Sequence, residues 1–256
     1  MPSRLRRQWV EMTTEDFQQS DMASAIAILP VAAIEQHGPH LPLGTDGFIP
    51  YHLAKRVAAT RRLVVAPPLF YAAYSRPRTG GGRHFPGSVG LPGRTLEDVV
   101  RTLADDWMRQ GFRKLAVLNG HWENAWSLLE AVEQAVEPYR ATHTALLIHW
   151  WDQATAADVT GIFGDDFPGW EAEHASITET SMMEALAPEL VRTDLKAEGG
   201  AKRVVTYDIF PPPEDILWPT GVGFSAVPAS AELGAQLVDL LVERIGTILD
   251  GEFGEG

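Results

Sequence analysis

The sequence predicts an α/β fold in which helices cover both faces of a mostly parallel sheet. Short apolar runs alternate with segments of helical spacing between residues 25 and 150. Loops rich in glycine and proline separate them. Two histidine–carboxylate pairs directly follow two of the predicted strands, which is where sites collect in open parallel sheets.

The first half of the chain begins with a predicted buried strand at residues 25–33, which is nearly all apolar. A loop with two glycines and two prolines follows it, and residues 48–60 then have helical spacing. Residues 63–66 form a second short strand. Residues 75–93 contain enough glycine and proline to form a long loop, and long ordered loops often line sites.

A helix is predicted to begin near Thr95, because Thr95 and Asp98 have the spacing of a capping box, and to end before Gly111. The remaining predicted elements are strands at 114–118 and 144–150 and helices at 123–139, 175–186 and 229–249. Three prolines at 211–213 indicate a stiff connection between the last two helices. We find no internal repeat and no linker, and therefore expect a single domain over residues 1–256.

Composition narrows the classes of function. The 256 residues are 45% hydrophobic and carry a formal charge of −13, which is typical of a globular protein and unfavourable for nucleic-acid binding. The chain has no cysteine, so neither a disulfide nor a thiolate site can form. Any metal ion must therefore be held by His, Asp and Glu.

The chain shows no sign of membrane insertion or secretion. The polar residues 11–20 interrupt any leader-like hydrophobic segment, and the apolar run at 23–34 is shorter than the roughly 20 residues of a membrane span. We therefore expect a cytoplasmic protein that contacts neither membrane nor nucleic acid.

The first chemical cluster follows the first predicted strand and contains Glu35, His37 and Asp46. Glu35 and His37 are two residues apart, so in extended backbone both side chains point to one side and can reach a shared ion. The glycines and prolines between them and Asp46 let the chain turn back to the same point. Alone, such a loop is more often simply solvated.

A second pair, His121 and Glu123, repeats this arrangement after another predicted strand. Its simpler interpretation is a surface turn in which Glu123 complements a helix dipole. Together with Asp46, the two pairs favour a metal site of nitrogen and oxygen ligands suited to zinc, manganese or both. Three ligands would serve one ion, and five with a bridging carboxylate would serve two.

Such a centre favours hydrolysis, because paired ions activate water and polarise a carbonyl. The departing nitrogen also needs a proton carrier, for which His174 is the candidate, with Glu179 as one residue that could orient it. Taken alone, His174 would more often be a structural histidine.

These segments together resemble the creatininase, or creatinine amidohydrolase, family. The resemblance runs from residue 30 to about residue 190 and is carried by four segments: 30–46, Gly80 to Gly87, Asn119 to Asn124, and 173–181. It implies a three-layer α/β/α fold, a centre of two divalent ions, and a ring of six subunits.

The resemblance also implies roles for single residues. Asp46 is the carboxylate shared by both ions, and His174 and Glu123 are assigned to catalysis. The other ligands divide between the ions as Glu35 with His121, and His37 with Glu123.

The resemblance extends to the substrate pocket, where Trp151 and Trp170 correspond to tryptophans that enclose a flat, cationic-prone substrate. Three positions depart from the family enzyme: Trp122 replaces a tyrosine, Thr178 a phenylalanine and Thr79 a serine. The loss of an aromatic side chain at 178 would open space and add a hydroxyl that seeks a polar group on the ligand. We expect ordinary core packing for three other tryptophans, Trp107, Trp126 and Trp150.

The first functional hypothesis is hydrolysis of creatinine or a close cyclic amide, in which hydroxide held by the two ions attacks the carbonyl and His174 protonates the leaving nitrogen. A second hypothesis keeps the centre but assigns a formamide, another lactam or a short peptide. Two further alternatives are a non-catalytic metal- or ligand-binding protein on the same fold, and acid–base chemistry by carboxylates alone.

Overall fold

The computed structural model describes residues 8–201 and 203–254, and a four-stranded parallel sheet lies at its centre. The strands are β1 (Ile26–Val31), β2 (Leu63–Val65), β3 (Lys114–Asn119) and β4 (Thr144–His149). Their spatial order is β2-β1-β3-β4, and each neighbouring pair is parallel. The predicted α/β class with a mostly parallel sheet is confirmed.

Helices pack on both faces of this sheet. Those of the described residues are α1 (Thr14–Gln18), α2 (Thr45–Val57), α3 (Gly93–Arg109), α4 (Ala125–Val136), α5 (Ala156–Phe163), α6 (Ile177–Leu186) and α7 (Ala231–Phe253). One hydrophobic cluster joins the sheet to α2, α5, α6 and α7, and another joins it to α3 and α4. The layers are therefore helix, sheet and helix, as the resemblance implied.

Strand β1 shows why the sheet is buried on both sides. Ile26 and Ile28 belong to the first cluster, whereas Ala27, Leu29 and Val31 belong to the second. Successive side chains of a strand point to opposite faces, so a strand covered on both faces must be apolar throughout. All six residues of β1 are buried.

The register brings the ends of three strands to one edge. Val31 pairs with Asn119, and Asn119 pairs with His149, so β1, β3 and β4 end level with one another. The N–H of Gly120 donates to the carbonyl of Val31 at 2.8 Å, which extends the pairing past the strand end. The residues that follow β1 and β3 are thereby held side by side.

Helix α2 begins three residues before the predicted start at residue 48. Its N-cap is Gly44, and the Thr45 hydroxyl donates to the carbonyl of Pro42. Asp46 therefore lies in the first turn of a buried helix, not in the preceding loop. The helix fixes the direction of this carboxylate.

The predicted capping box at Thr95 and Asp98 is wrong. Helix α3 begins at Gly93 after Pro92, without a side-chain cap, so Thr95 already lies in its first turn. Asp98 instead forms an exposed ion pair with Arg101. The residue before the helix, Pro92, decides its start because its fixed φ orients the chain.

Between α6 and α7 the described residues form short 3₁₀ turns and one isolated antiparallel bridge, Glu198 with Ser225. The chain returns to the carboxyl edge of the sheet, where the N–H of Gly223 donates to the carbonyl of His174 at 2.7 Å. This segment thus forms one side of the site. No helix of the described residues is both long and apolar enough to span a membrane.

Candidate metal centre and substrate cavity

Glu35, His37, Asp46, His121 and Glu179 come together at the carboxyl edge of the sheet and form what we call the ligand cluster. Each is at most 7% exposed. Glu35 and His37 follow β1, His121 follows β3, and Asp46 and Glu179 lie in the first turns of α2 and α6. Gly120 permits this approach, because a Cβ there would lie 2.0 Å from the carbonyl oxygen of Asp46.

Asp46 is the centre of the cluster. Its Oδ1 lies 3.0 Å from Nε2 of His37, and its Oδ2 lies 3.0 Å from Nδ1 of His121. Glu35 Oε2 is also 3.0 Å from Nδ1 of His121, and Glu179 Oε2 is 3.7 Å from Nε2 of His37. Two three-residue groups of donor atoms result, and they share Asp46: Glu35, Asp46 and His121, and His37, Asp46 and Glu179.

Glu123 differs from the ligand assignment that the resemblance implied. It belongs to neither donor group; Glu179 occupies the place beside His37. One oxygen of Glu123 lies 3.2 Å from Nε2 of His121, and the other accepts from the N–H of Arg76 and the hydroxyl of Thr79. Here Glu123 is placed to orient the His121 ring, as a carboxylate commonly does for a metal-binding histidine.

The donor atoms fit divalent cations. His37 Nε2 and Asp46 Oδ2 are cut off from water and each lies 3.0 Å from a neighbour in the cluster, but neither makes a hydrogen bond of good geometry, an arrangement that buried polar atoms rarely tolerate without a ligand. His37 Nδ1 lies 3.1 Å from the carbonyl oxygen of Glu35, so a proton on Nδ1 leaves the lone pair on Nε2. Imidazole and carboxylate groups without sulfur suit zinc and manganese.

The charges of the cluster also favour bound cations. Burial raises the pKa of Glu35 to about 7. Burial also lowers the pKa of His37, but the negative charges of Asp46 and Glu179 outweigh it and raise that pKa to about 10. Asp46 has a pKa well below its usual range, because the positive His37 charge outweighs its burial. Without cations, imidazolium protons balance the carboxylates; bound cations would replace them.

His174 lies beside the cluster. Its ring centroid is 4.5 Å from that of His37, and its Nε2 is 3.9 Å from Oε1 of Glu35. Burial and the positive charge of His37 lower the pKa of His174 to about 3. The next residue, Ala175, has φ 52°, a left-handed conformation that is rare outside glycine and is often found at functional sites.

The glycine-rich loop that carries part of the family resemblance packs directly on these side chains. A Cβ on Gly81 would lie 1.8 Å from Oε1 of Glu35, and one on Gly80 would lie 2.7 Å from Cδ2 of His174. Gly80 also has φ 94°. The backbone can approach the cluster this closely only because these residues have no side chain.

A cavity of about 490 Å³ opens above the cluster. Its lining includes four of the predicted substrate-binding residues, and five tryptophans that we call the aromatic wall. The four are Thr79, Trp122, Trp151 and Trp170. The wall consists of Trp122, Trp150, Trp151, Trp170 and Trp218, of which sequence reasoning missed Trp218.

Thr178, the fifth predicted substrate-binding residue, does not line the cavity, and the expectation that its hydroxyl would meet the ligand is wrong. Thr178 is fully buried, and both its hydroxyl and its N–H donate to Oε1 of Glu173. The start of α6 turns this side chain inward. Burial raises the pKa of the Glu173 carboxyl to about 8.

The aromatic wall is packed against itself. The Trp151 ring is stacked with Trp122, at 5.6 Å and 26°, and with His149, at 5.2 Å and 22°. Trp170 meets Trp150 edge-on, at 5.6 Å and 85°. Trp122 and Trp151 therefore form one continuous surface, of which Trp122, 47% exposed, is the accessible part.

The other tryptophan predictions have mixed outcomes. Trp107 is 8% exposed and belongs to the core, as expected, and Trp150 is 2% exposed but also borders the cavity. The expectation of core packing for Trp126 is wrong, because 80% of this residue is exposed on α4. The helical spacing of α4 puts Leu128 and Val132 in the core and turns Trp126 outward.

Two buried asparagines that sequence reasoning missed hold the loop after β3. Asn119 donates to the carbonyl of His121 and accepts from its N–H, at 2.8 and 3.1 Å. Asn124 links Asn119 to the carbonyl of Ala32 and the N–H of Ala73. The signal for them was the position of amide side chains on either side of a predicted ligand.

Comparison with known proteins gives a consistent result. The family model for creatininase, described as creatinine amidohydrolase, matches residues 10–249. The creatinine amidohydrolase of Pseudomonas putida is 32% identical over 249 residues, which cover 95% of this chain and 96% of the relative. A 3-dehydro-scyllo-inosose hydrolase of Thermotoga maritima is 26% identical, over 91% of this chain and 79% of the relative. A mycofactocin precursor peptide peptidase of Mycolicibacterium smegmatis is 31% identical, over 66% and 61%.

Solved structures agree with the sequence relatives. A crystal structure of creatinine amidohydrolase superposes with a TM-score of 0.92 at 30% identity, covering 98% of this chain and 99% of that one. A manganese creatininase gives 0.91 at 32% identity, with 96% and 98% covered. A mutant creatininase of Zn-Zn type gives 0.90 at 31% identity, with the same coverage.

Proposed function

This chain belongs to the creatininase family of amidohydrolases, and we propose that it opens a small cyclic amide, with creatinine as the first candidate. The observation that carries the proposal is the position of Asp46, shared by two donor groups at the floor of an aromatic cavity. A shared carboxylate of this kind is suited to holding two ions close together.

Glu35, Asp46 and His121 would hold one divalent ion, and His37, Asp46 and Glu179 the other. Zinc and manganese are the candidates, on the chemistry of the donors and because related creatininase structures are described as manganese and Zn-Zn forms. When bound, such ions lower the pKa of water and polarise a carbonyl group.

The chain itself supplies proton transfer and binding. His174 lies within reach of the cluster and of the cavity, so it is placed first to accept a proton and then to deliver it to the leaving nitrogen. The exposed side of Trp122 together with Trp170 would hold a flat ring and exclude water from it.

The test is turnover of creatinine to creatine by the purified protein loaded with Zn²⁺ or Mn²⁺, with a chelated sample as control. Metal-dependent turnover supports the proposal. Turnover that persists after the metal has been removed would support acid–base chemistry by the carboxylates alone. Tight binding of lactams to the metal-loaded protein without turnover of any amide would support a non-catalytic binding protein.

A second candidate substrate is a larger or acyclic amide, such as a short peptide, a formamide or another lactam. The size of the cavity favours it, because about 490 Å³ lies within the range that accommodates drug-sized ligands and creatinine is far smaller. A panel of lactams, formamides and short peptides, assayed with the same metal-loaded protein, separates the candidates. Metal-dependent cleavage of a peptide without turnover of creatinine would select the second.

We also propose the homo-hexamer that the family resemblance implies. Large apolar side chains are exposed outside the cavity, among them Trp126 at 80% and Phe210 at 73%, and subunit contacts are one way to cover such surface. Light scattering coupled to size-exclusion chromatography measures the assembly directly. A monomeric mass at micromolar concentration would contradict the hexamer.

A further inference from the structure

Gln36 separates two residues of the ligand cluster, and its own side chain is almost fully buried, with 5% of the residue exposed. The amide nitrogen Nε2 donates to the carbonyls of Gly80 and Gly221, at 2.8 and 3.0 Å. The amide oxygen Oε1 accepts from the N–H of Gly38 at 3.0 Å. The amide thus joins three loops around the site.

The same residue contacts the proposed proton carrier twice. Nε2 of His174 lies 3.0 Å from the backbone oxygen of Gln36 and 2.9 Å from its amide nitrogen. The two amide protons of Gln36 are already directed to the carbonyls of Gly80 and Gly221. One arrangement therefore satisfies all these groups: the Nε2–H of His174 donates to the backbone carbonyl of Gln36.

This hydrogen bond determines which ring nitrogen of His174 carries the lone pair. With a proton on Nε2, the lone pair of neutral His174 is on Nδ1. Nδ1 has no hydrogen-bond partner among the described residues. It is also not one of the fully buried polar atoms that lack a partner in this part of the chain. Since His174 lines the cavity, Nδ1 is the ring nitrogen available to a substrate.

We propose that Gln36 is a positioning residue, which holds His174 with Nε2 protonated and Nδ1 directed into the substrate cavity. The proposal rests on the proposed function of His174. The neighbouring loops are shaped for this amide: Gly221 has φ 69°, and a Cβ there would lie 1.7 Å from Oε1 of Gln36. A side chain that only filled space would not require a glycine in left-handed conformation at this contact.

The first test is Gln36→Met, which keeps the length of the side chain and removes its donors and acceptor. We expect kcat to fall about 10- to 100-fold, as for other partners that orient an active group, with KM and metal content unchanged. Gln153→Met is the matched control, because Gln153 also donates to a backbone carbonyl, that of His149, whereas the contacts to His174 belong to Gln36. An unchanged kcat in Gln36→Met would overturn the proposal.

A double-mutant cycle separates positioning from general structural support. If Gln36 acts through His174, then adding Gln36→Met to His174→Ala slows turnover no further than His174→Ala alone. Multiplicative losses in the double variant would overturn the proposal, because Gln36 would then act independently of the ring.

A spectroscopic measurement needs no Gln36 variant. Ring ¹⁵N shifts of the zinc-loaded wild-type protein, with the His174 signals assigned by their loss in His174→Ala, report which nitrogen carries the proton. We expect the Nε2–H form, and the Nδ1–H form would overturn the proposal. If the protein hydrolysed no amide, the proposed function would fail, but this measurement would still decide the arrangement of Gln36 and His174.

Discussion

The ligand cluster and the aromatic wall line the same cavity but are held in different ways. The cluster residues are at most 7% exposed and follow strand ends or occupy first turns of buried helices. The wall is contributed by turns and loops, and Trp122 in it is 47% exposed. The cluster thus holds its side chains in fixed positions, whereas Trp122, the exposed part of the wall, can change with little cost to the fold. The reaction type is accordingly easier to infer than the substrate.

The largest effect is expected at the centre of the cluster. Asp46→Ala removes the carboxylate shared by both donor groups, so we expect both ions to be lost and turnover to fall on the order of 10⁴-fold or more. Elemental analysis of the purified variant measures the metal content. Asp98→Ala, which breaks an exposed ion pair on α3, is the matched control. Two ions retained in Asp46→Ala would contradict the shared-ligand assignment.

His174→Ala should separate chemistry from metal binding. His174 can form a donor group with Glu35 and His37, but it belongs to neither of the two groups that share Asp46, so the ions should stay bound while kcat falls roughly 10²- to 10⁴-fold. Steady-state kinetics with parallel metal analysis measures both. His143→Ala, at the opposite edge of the sheet, is the control. Normal turnover would remove His174 from the mechanism.

The wall is tested by two tryptophans four residues apart. Trp122→Ala removes the accessible part of the wall, and we expect KM to rise about fivefold, the equivalent of a stacking contact of roughly 1 kcal/mol, with unchanged metal content. Trp126→Ala is the control, since Trp126 is 80% exposed and does not line the cavity. Equal kinetic effects of the two substitutions would argue against a substrate contact by Trp122.

The smallest predicted effect concerns stability and pH. In the metal-free protein the pKa of His37 is raised to about 10, and burial raises that of Glu35 to about 7. The folded state then binds these protons more tightly than the unfolded chain, where the pKa values are about 6.5 and 4.3. The stabilisation from His37 is complete below about pH 6.5 and is lost as the pH rises towards 10.

Thermal unfolding of the chelated protein at pH 6.5 and 9 tests whether stability falls as the pH rises. We expect a lower Tm at the higher pH, by about 2–4 °C for each kcal/mol lost. Added Zn²⁺ should reverse the trend, because metal binding requires deprotonated ligands and therefore strengthens as the pH rises. A Tm that rises with pH in the chelated protein would contradict the charge balance described for the cluster.

Capping boxes show where local sequence reasoning succeeds and fails. Thr13 with Asp16 and Thr155 with Asp158 cap α1 and α5 with both hydrogen bonds of the motif, although neither helix was predicted. The same spacing at residues 95–98 does not cap α3. A Thr and an Asp three residues apart form a box only where the chain enters the helix, and packing on the sheet decides that point.

The sequence by itself determined the α/β class, and it indicated Glu35, His37, Asp46 and His121 as metal ligands. The fold class is confirmed, because apolar periodicity follows from burial. The ligand assignment stays a prediction; the structure brings these side chains together, as expected for residues that follow strand ends at one edge of a parallel sheet. Only the tertiary structure grouped Glu179 with His37, turned Thr178 into the interior, and placed Gln36 against His174. The contacts of His37 with Glu179 and of Gln36 with His174 join residues more than 100 positions apart and depend on how helices and loops pack. Thr178 contacts Glu173, only five residues away, but the turn into α6 decides which way its side chain points.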